Sequence, residues 1–170
     1  MSKPSFEHPV DHVVWKNAAD LKANDYNPNV VYSPELRLLE RSMLSQGWVQ
    51  PILIDQADVI IDGFHRVYLA RTSKRLKELT AGKVPCAILT LSEPERMMLT
   101  VRINRAKGSH IAIKMHELVA KLITEYGMPA EYIAESIGAT KDEVQLLSQE
   151  NVFKALKTEA HQDSRAWVPK

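Results

Sequence analysis

Apolar residues recur at helical spacing after Ser33, and this pattern predicts a first helix that ends at Gly47. Ser33 is a residue type that caps helix N-termini, and Pro34 suits the first helical position. The chain before this helix, residues 1 to about 30, is polar and irregular, and its segment Asn24–Asn29 predicts a loop or turn. The apolar positions of the helix are Leu36, Leu39 and Met43.

Strand-like and helical patterns then alternate along the chain. Two short β-branched runs, Val49–Ile54 and Val59–Ile61, predict a β-hairpin. A helix is predicted from His65 to about Leu79, a strand over Val84–Leu89, and another helix beginning at Ser92. The candidate core positions of the first of these helices are Val67, Leu69, Ala70 and Leu76. This order of elements predicts a compact α+β lobe.

After His110 the pattern becomes entirely helical. Three helices are predicted, over Ile111–Tyr126, Pro129–Ile137 and Lys141–Gln149. The fold class is therefore α+β, with an all-α lobe behind the first lobe. The predicted domains are an α+β lobe, a helix-turn-helix-like lobe and a loose C-terminal tail, over residues 1–108, 109–156 and 157–170.

Composition narrows the class of protein. With 45% hydrophobic and 25% charged residues, the 170-residue chain has the make-up of a soluble globular protein. It contains no apolar run of about 20 residues, the length needed to cross a bilayer. Met1–Val10 also lacks the pattern of a signal peptide, so we expect a cytoplasmic location and no membrane partner. The single cysteine, Cys86, is predicted to be a small core residue on a strand.

The net charge of +1 indicates no partner, but the charges are unevenly distributed. Between Arg96 and Lys121 there are six basic residues and one acid, whereas between Leu122 and Glu150 there are six acids and one base. A basic stretch followed by an acidic one predicts two surfaces with different tasks. Two solvated helix faces of opposite sign explain the same counts equally well.

The segment Asp62-Gly63-Phe64-His65-Arg66 lies where a predicted strand gives way to a helix. Free N–H groups at a helix start attract anions, and Gly63 would let a ligand approach the backbone closely. Arg66 offers a fork suited to phosphate, and His65 a group that titrates near neutral pH. Asp62 is the candidate magnesium ligand and, with His65, a candidate catalytic residue. A common strand-to-helix turn with a solvated arginine is the alternative interpretation.

The basic segment Arg102–His110 has a composition that suits a polyphosphate cradle. Gly108 would allow the backbone to approach the ligand, and Ser109 would cap the following helix. Basic loops are common on protein surfaces, so the segment gains weight only beside the Asp62–Arg66 turn. Its candidate nucleotide-binding residues are Asn104, Arg105, Lys107, Ser109 and His110.

The order of these segments resembles the N-terminal domain of ParB proteins over residues 20 to 150. Leu39–Ile54 resembles its opening box, in which a helix ending in glycine leads into a Gln-Pro-apolar strand. Ile60–Ala70 resembles its Gly-x-Arg-Arg-x-x-Ala phosphate box, with the alanine one place late. Arg102–His110 lies where the family carries a Glu-Asn-x-x-Arg box.

The resemblance implies a ParB/sulfiredoxin-type fold that binds a nucleoside triphosphate, CTP with Mg²⁺ in partition proteins, and that precedes a helix-turn-helix. By position, the first box contributes a glycine and a glutamine, the second the phosphate contacts, and the third completes the site. The nucleotide-binding residues implied in this way are Gly47, Gln50, Gly63, His65, Arg66, Asn104 and Arg105.

Departures from the family pattern keep other activities open. His65-Arg66 replaces the usual arginine pair and is closer to the Asp-Gly-His-His-Arg segment of an ADP-dependent serine kinase of this fold. That kinase has a catalytic glutamate before the first helix, where this chain offers Asp25. Sulfiredoxins carry a cysteine where Phe64 stands, which argues against sulfinic acid reduction. The short chain and the His-Arg box also resemble IbrB-like regulators of bacteria and their mobile elements.

The last two predicted helices have helix-turn-helix spacing, and a reading helix brings polar side chains to base edges. The DNA-binding candidates are Lys141, Gln145 and Gln149, whereas the acids Asp142 and Glu143 would repel a duplex. The predicted core positions of this lobe are Ile133, Ala134, Ile137, Val144 and Leu147.

Three functions remain open on these grounds. The leading hypothesis is a ParB-like transcription regulator that binds CTP or ATP with Mg²⁺ and associates with DNA; whether it hydrolyses the triphosphate stays open. The second is a small-molecule phosphotransferase, and the third is a protein-interaction module that has lost its ligand. The expected partners are a nucleotide, DNA, and a partner protein or a second copy. The residues after Glu150 are too few for a ParB-type dimerisation domain, so a dimer would use another surface.

Overall fold

The structure, a computed structural model, describes residues 7–24, 33–107 and 112–149, except for the side chains of residues 33 and 112–114. The chain forms two compact units, Met1–Arg96 and Met97–Lys170, which we call the N-terminal and C-terminal units. The predicted domain boundaries after residues 108 and 156 remain predictions. Within the described residues, no helix is both long enough and apolar enough to cross a membrane.

The N-terminal unit is built on a small mixed sheet. A short 3-10 helix, Pro9–His12, precedes it. The strands are β1 (Val14–Asn17), β2 (Ile52–Asp55), β3 (Ile60–Asp62) and β4 (Lys83–Leu89), and the helices are α1 (Ser33–Gln46), α2 (Phe64–Thr72), α3 (Lys74–Thr80) and the first turn of α4 (Glu93–Ala106). The sheet order is β1-β4-β2-β3. Strand β2 pairs with β4 in parallel and with β3 antiparallel, and β1 is antiparallel to β4.

The predicted β2–β3 hairpin is confirmed, and a buried aspartate organises its turn. Asp55 Oδ1 accepts hydrogen bonds from the N–H groups of Ala57, at 2.9 Å, and Val59, at 2.8 Å. Its Oδ2 pairs with the guanidinium of Arg96 at the start of α4. With one carboxylate, the aspartate therefore satisfies two donors of the turn and binds Arg96, which belongs to the same unit.

The prediction of a single helix from His65 to Leu79 is wrong, because the chain breaks at Ser73. Ser73 has an extended backbone, with φ −77° and ψ 117°, between α2 and α3. Its hydroxyl accepts a hydrogen bond from the N–H of Leu76 at 3.3 Å and so caps α3. A serine hydroxyl can bind backbone N–H groups in place of the hydrogen bonds of a helix. Here this bond caps the start of α3, and the chain forms two helices instead of one.

Residues 1 to 30 were expected to be irregular, and this expectation is wrong at one place, because β1 lies within them. Val14 pairs with Cys86 and Asn17 with Lys83 at the edge of the sheet. Val14 and Trp15 are both exposed, so β1 lacks the burial of alternate residues on which strand recognition depends. Its existence depends on β4, which is distant in sequence.

The predicted core positions of the N-terminal unit are buried. Val67, Leu69, Ala70 and Leu76 are buried as predicted, and Cys86 is fully buried on β4. Trp48 packs against two apolar clusters. One lies between the sheet and α2, and the other contains Met43 of α1, Leu69 of α2 and Leu76 of α3. Trp48 thus connects the sheet layer to the helical layer.

The described residues of the C-terminal unit form helices joined by short turns, as predicted. It contains the rest of α4, then α5 (Ala112–Thr124), α6 (Ala130–Ile137) and α7 (Lys141–Ser148). Gly138, with φ +67°, ends α6, and the hydroxyl of Thr140 caps α7 by accepting from the N–H of Glu143 at 3.1 Å. All five predicted core positions of α6 and α7 are buried. The predicted tail, residues 157–170, lies outside the described residues.

Candidate functional site

The register of the hairpin brings two distant parts of the sequence together. Leu53 of β2 pairs with Asp62 of β3 in an antiparallel register. The residues just before β2, Gln50 and Pro51, therefore lie beside the turn that follows β3. The opening box and the phosphate box of the sequence meet at this point, which we call the β3–α2 turn (residues 62–66).

Gly63 is the conformational centre of the β3–α2 turn. It is buried, with φ +101° and ψ 19°, a region that disfavours residues carrying a Cβ. A Cβ at this position would lie 2.6 Å from Cδ1 of Ile52 and 3.2 Å from Nη2 of Arg66. Both the backbone angle and the packing therefore require glycine.

The guanidinium of Arg66 is occupied by contacts within the site. Nη1 donates to the carbonyl of Gln50 at 2.6 Å and to that of Pro51 at 2.9 Å. Nη2 donates to Oδ2 of Asp62 at 3.2 Å. Burial lowers the pKa of Arg66, and the carboxylate of Asp62 acts in the opposite direction. Arg66 thus ties the start of β2 to the start of α2.

The start of α2 presents backbone donors without a capping side chain. The N-cap residue is Gly63, which has no side chain with which to cap the helix. The N–H group of Val67 donates to the carbonyl of Gly63. The N–H groups of the first turn point away from the helix and favour an anion. His65 lies in this turn, half-buried, with its Nε2 atom shielded from solvent. Phe64 packs against the core and anchors the turn.

Asp62 is the residue that the sequence predicts to bind magnesium. Its carboxylate, at the end of β3, pairs with Arg66 four residues later in α2. Among the described residues, no group of three or more His, Cys, Asp or Glu side chains is arranged to hold a metal ion. The assignment of Asp62 as a magnesium ligand therefore remains a prediction. Gly47 follows the end of α1 with φ +77°, and apart from its chain neighbours no described residue has an atom within 4 Å of a Cβ built on it.

The third set of predicted nucleotide ligands lies in the C-terminal unit. Asn104 and Arg105 are in α4, and Lys107 follows its end. Arg105 donates to Oε1 of Glu143 at 2.6 Å and to the carbonyl of Gly138 at 3.1 Å. This arginine therefore fastens α4 to the α6–α7 turn. Arg102 acts similarly, donating from Nε to the carbonyl of Ser136.

Other predicted residues fall outside the described part of the chain. These are Ser109 and His110 of the basic segment and Asp25 of the kinase hypothesis. Their proposed roles stay predictions.

The DNA-binding candidates all lie on or directly after α7. Gln145 and Gln149 are exposed. The exposed Lys141 forms an ion pair with Glu131 of α6, and this hydrogen-bonded pairing raises the pKa of Lys141 and lowers that of Glu131. Glu143, one of the acids expected to repel DNA, is engaged by Arg105.

Sequence reasoning missed a cationic groove between α1 and α3. Arg37 and Arg41 of α1 and Arg75 of α3 line it together. The spacing of Arg37 and Arg41 could have indicated it, because residues four apart lie on the same face of a helix. Arg75 carried no such signal, because its position beside α1 depends on the break at Ser73.

Comparison with known proteins identifies the family. No family model matches the sequence. The chain is 38% identical over 171 residues to the uncharacterized protein YbdM of Escherichia coli (strain K12), and the match covers 98% of this chain and 81% of YbdM. The chain belongs to the YbdM family.

The fold of this YbdM-family chain is ParB-like, which confirms the resemblance predicted from the sequence. A Pnob8-like ParB-N domain matches with a TM-score of 0.58 and 14% identity, over 89% of this chain and 74% of that one. A truncated Caulobacter crescentus ParB complexed to the centromeric parS site matches with a TM-score of 0.54 and 18% identity, over 86% and 78% of the two chains.

Sequence comparison adds a more distant ParB relative of the YbdM-family chain. A probable chromosome-partitioning protein ParB from Vibrio cholerae serotype O1 is 25% identical over 127 residues. That match covers 74% of this chain but only 43% of the Vibrio protein. The shared portion is therefore less than half of the partition protein.

Proposed function

We propose that this YbdM-family protein is a ParB-like regulator that binds a nucleoside triphosphate at the β3–α2 turn and associates with DNA. The observation that carries the nucleotide assignment is the conformation of Gly63. It stands in the left-handed region, with no room for a Cβ, directly before a helix that lacks a side-chain cap. This arrangement leaves backbone donors at a helix start, where phosphate oxygens are well accommodated.

The residues of the turn have distinct roles in this proposal. The N–H groups of the first turn of α2 and the ring of His65 meet the phosphates, since both donate hydrogen bonds. Asp62 would hold Mg²⁺, an ion that proteins bind through one or two carboxylates and that would offset the negative charge of the phosphates. Arg66 is a positioning residue, because its three contacts fix Gln50 and Pro51 against the turn.

The DNA arm of the proposal is supported by the fold and by α7. The Caulobacter crescentus ParB of the same fold is complexed to parS DNA. Lys141 pairs with Glu131 on the protein surface, and exposed ion pairs of this kind contribute little to stability. Lys141 can therefore exchange its partner for a DNA phosphate, while Gln145 and Gln149 reach base edges.

The nucleotide arm is tested by calorimetry with CTP, ATP and ADP in the presence of Mg²⁺. We expect binding of a triphosphate by the wild-type protein and at least a tenfold weaker Kd for His65→Ala, about the effect of losing one charge-assisted hydrogen bond. His12→Ala is the matched control, since His12 is exposed in the 3-10 helix. Absence of heat with all three nucleotides would refute this arm.

The same preparation separates the alternatives. Phosphate release that rises with added duplex DNA supports the regulator, whereas phosphate transfer to free serine supports the phosphotransferase. Protein that binds neither nucleotide nor DNA would leave the interaction module as the better hypothesis.

A further inference from the structure

The helix α3, which arises from the break at Ser73, packs beside α1 and forms one wall of an open groove. The cavity volume is about 490 Å³. The groove lies within the N-terminal unit, and its lining residues are Arg37, Glu40, Arg41, Leu44, Ser45 and Arg75. We call it the α1–α3 groove.

The α1–α3 groove is strongly cationic. It has three guanidinium groups and one carboxylate, a net charge of +2. The carboxylate, that of Glu40, accepts a hydrogen bond from the hydroxyl of Ser73. None of the three arginines forms an ion pair with an acidic residue in the described part of the chain. Their charge is therefore available to a ligand.

The geometry suits a chain of phosphates better than a small molecule. Arg37 and Arg41 lie on one face of α1, and all three arginines are exposed. A small-molecule site encloses most of its ligand, whereas the three arginines of this groove are exposed. Guanidinium forks on an open surface match the bidentate geometry of phosphate oxygens, and such contacts dominate binding that is independent of base sequence.

We propose that the α1–α3 groove binds the phosphodiester backbone of DNA without base specificity. This inference rests on the proposed DNA association and adds a second contact surface to it. It also gives the N-terminal unit a role in DNA binding, because α7 offers a single lysine whose neighbours are the acids Asp142 and Glu143.

The test is fluorescence anisotropy with a labelled duplex of arbitrary sequence over a series of salt concentrations. Arg37→Gln/Arg41→Gln is compared with Lys22→Gln/Lys83→Gln, which also removes two exposed cations from the N-terminal unit. Each phosphate contact contributes about 0.9 to the slope of log K against log salt, so we expect the arginine variant to reduce that slope by nearly two units. Affinity at low salt should fall at least tenfold, and the lysine variant should stay within twofold of wild type. Arg75→Gln should reduce the slope by about one unit.

The outcomes distinguish a failure of this inference alone from a failure of the function on which it rests. If the wild-type protein does not bind DNA, the DNA arm of the proposed function and this inference are both overturned. If it binds and the arginine and lysine variants behave alike, only the groove assignment is overturned. Equal, arginine-dependent binding of a poly-glutamate peptide would assign the groove to acidic proteins and overturn the assignment to nucleic acid. Circular dichroism checks that each variant folds.

Discussion

Gly63→Ala places a methyl group 2.6 Å from Cδ1 of Ile52, inside normal contact distance. Ile52 is fully buried in the cluster between the sheet and α2, so its side chain has little space into which to move. The new methyl group would also lie 3.2 Å from Nη2 of Arg66, whose guanidinium is held by two backbone carbonyls. The substitution therefore disturbs the core and the candidate site together.

Two effects determine how much stability Gly63→Ala should lose. A residue with a Cβ at φ +101° stores about 1–2 kcal/mol of backbone strain. Overpacking a filled core costs about 1–3 kcal/mol more. We therefore expect Gly63→Ala to lower the free energy of unfolding of the N-terminal unit by about 2–5 kcal/mol, a large share of the roughly 5–15 kcal/mol typical of a domain.

The assay is urea unfolding followed by tryptophan fluorescence. The chain has three tryptophans, and a Trp167→Phe background leaves Trp15 and Trp48, both in the N-terminal unit. Gly47→Ala is the matched control, because Gly47 also has a positive φ, +77°, but its added Cβ has no contact within 4 Å in the described part of the chain beyond its chain neighbours. It should lose only the strain of about 1–2 kcal/mol. Ile52→Val removes Cδ1 and should recover part of the Gly63→Ala loss in the double variant.

Equal losses of unfolding free energy in Gly63→Ala and Gly47→Ala would refute this prediction, because the contact with Ile52 would then contribute nothing. A double variant whose loss equals the sum of the two single losses would contradict it independently. A midpoint that shifts without a change in the m-value is required for either comparison.

Two further predictions concern buried groups. Arg96→Leu leaves the carboxylate of Asp55 buried without its ion-pair partner and should lower the free energy of unfolding in urea by about 3–5 kcal/mol. Lys141→Ala is the control, because it removes an exposed ion pair and should leave the unfolding midpoint unchanged. Equal midpoints for the two variants would contradict a stabilising role of the Arg96–Asp55 pair. Burial raises the pKa of the Cys86 thiol from 9.0 to about 11, so the stability that the neutral thiol contributes is present below about pH 9 and is lost as the pH rises through 11. Cys86→Ala should therefore lose less stability than wild type between pH 8 and pH 10.5, and identical slopes would be the opposing result.

Much of the fold could be predicted because it depends on patterns within single segments of the sequence. The helices α1, α5, α6 and α7 and the β2–β3 hairpin follow from spacing, capping residues and glycine positions within single segments. The Asp62–Arg66 turn was also recognisable, since its glycine stands between an apolar strand and a helix. Burial of Cys86 followed from its apolar neighbours on β4.

The elements that were missed depend on distant partners. Strand β1 exists through pairing with β4, about 70 residues later, and its exposed Val14 and Trp15 give no burial pattern. The break at Ser73 is decided by a side-chain cap that competes with helix continuation, a balance that helical periodicity does not report.

The sequence by itself determined most of the element types, the core positions and the location of the glycine turn, because these depend on periodicity and on the conformational limits of single residues. Only the tertiary structure decided how the charged side chains are used. Arg66 binds the carbonyls of Gln50 and Pro51, and Arg105 binds Glu143, although both arginines suggested phosphate contacts. Arg37, Arg41 and Arg75, which suggested nothing as a group, form a cationic groove. The reason is that a long charged side chain takes whichever partner the packed backbone brings within reach, and that choice is made across the fold.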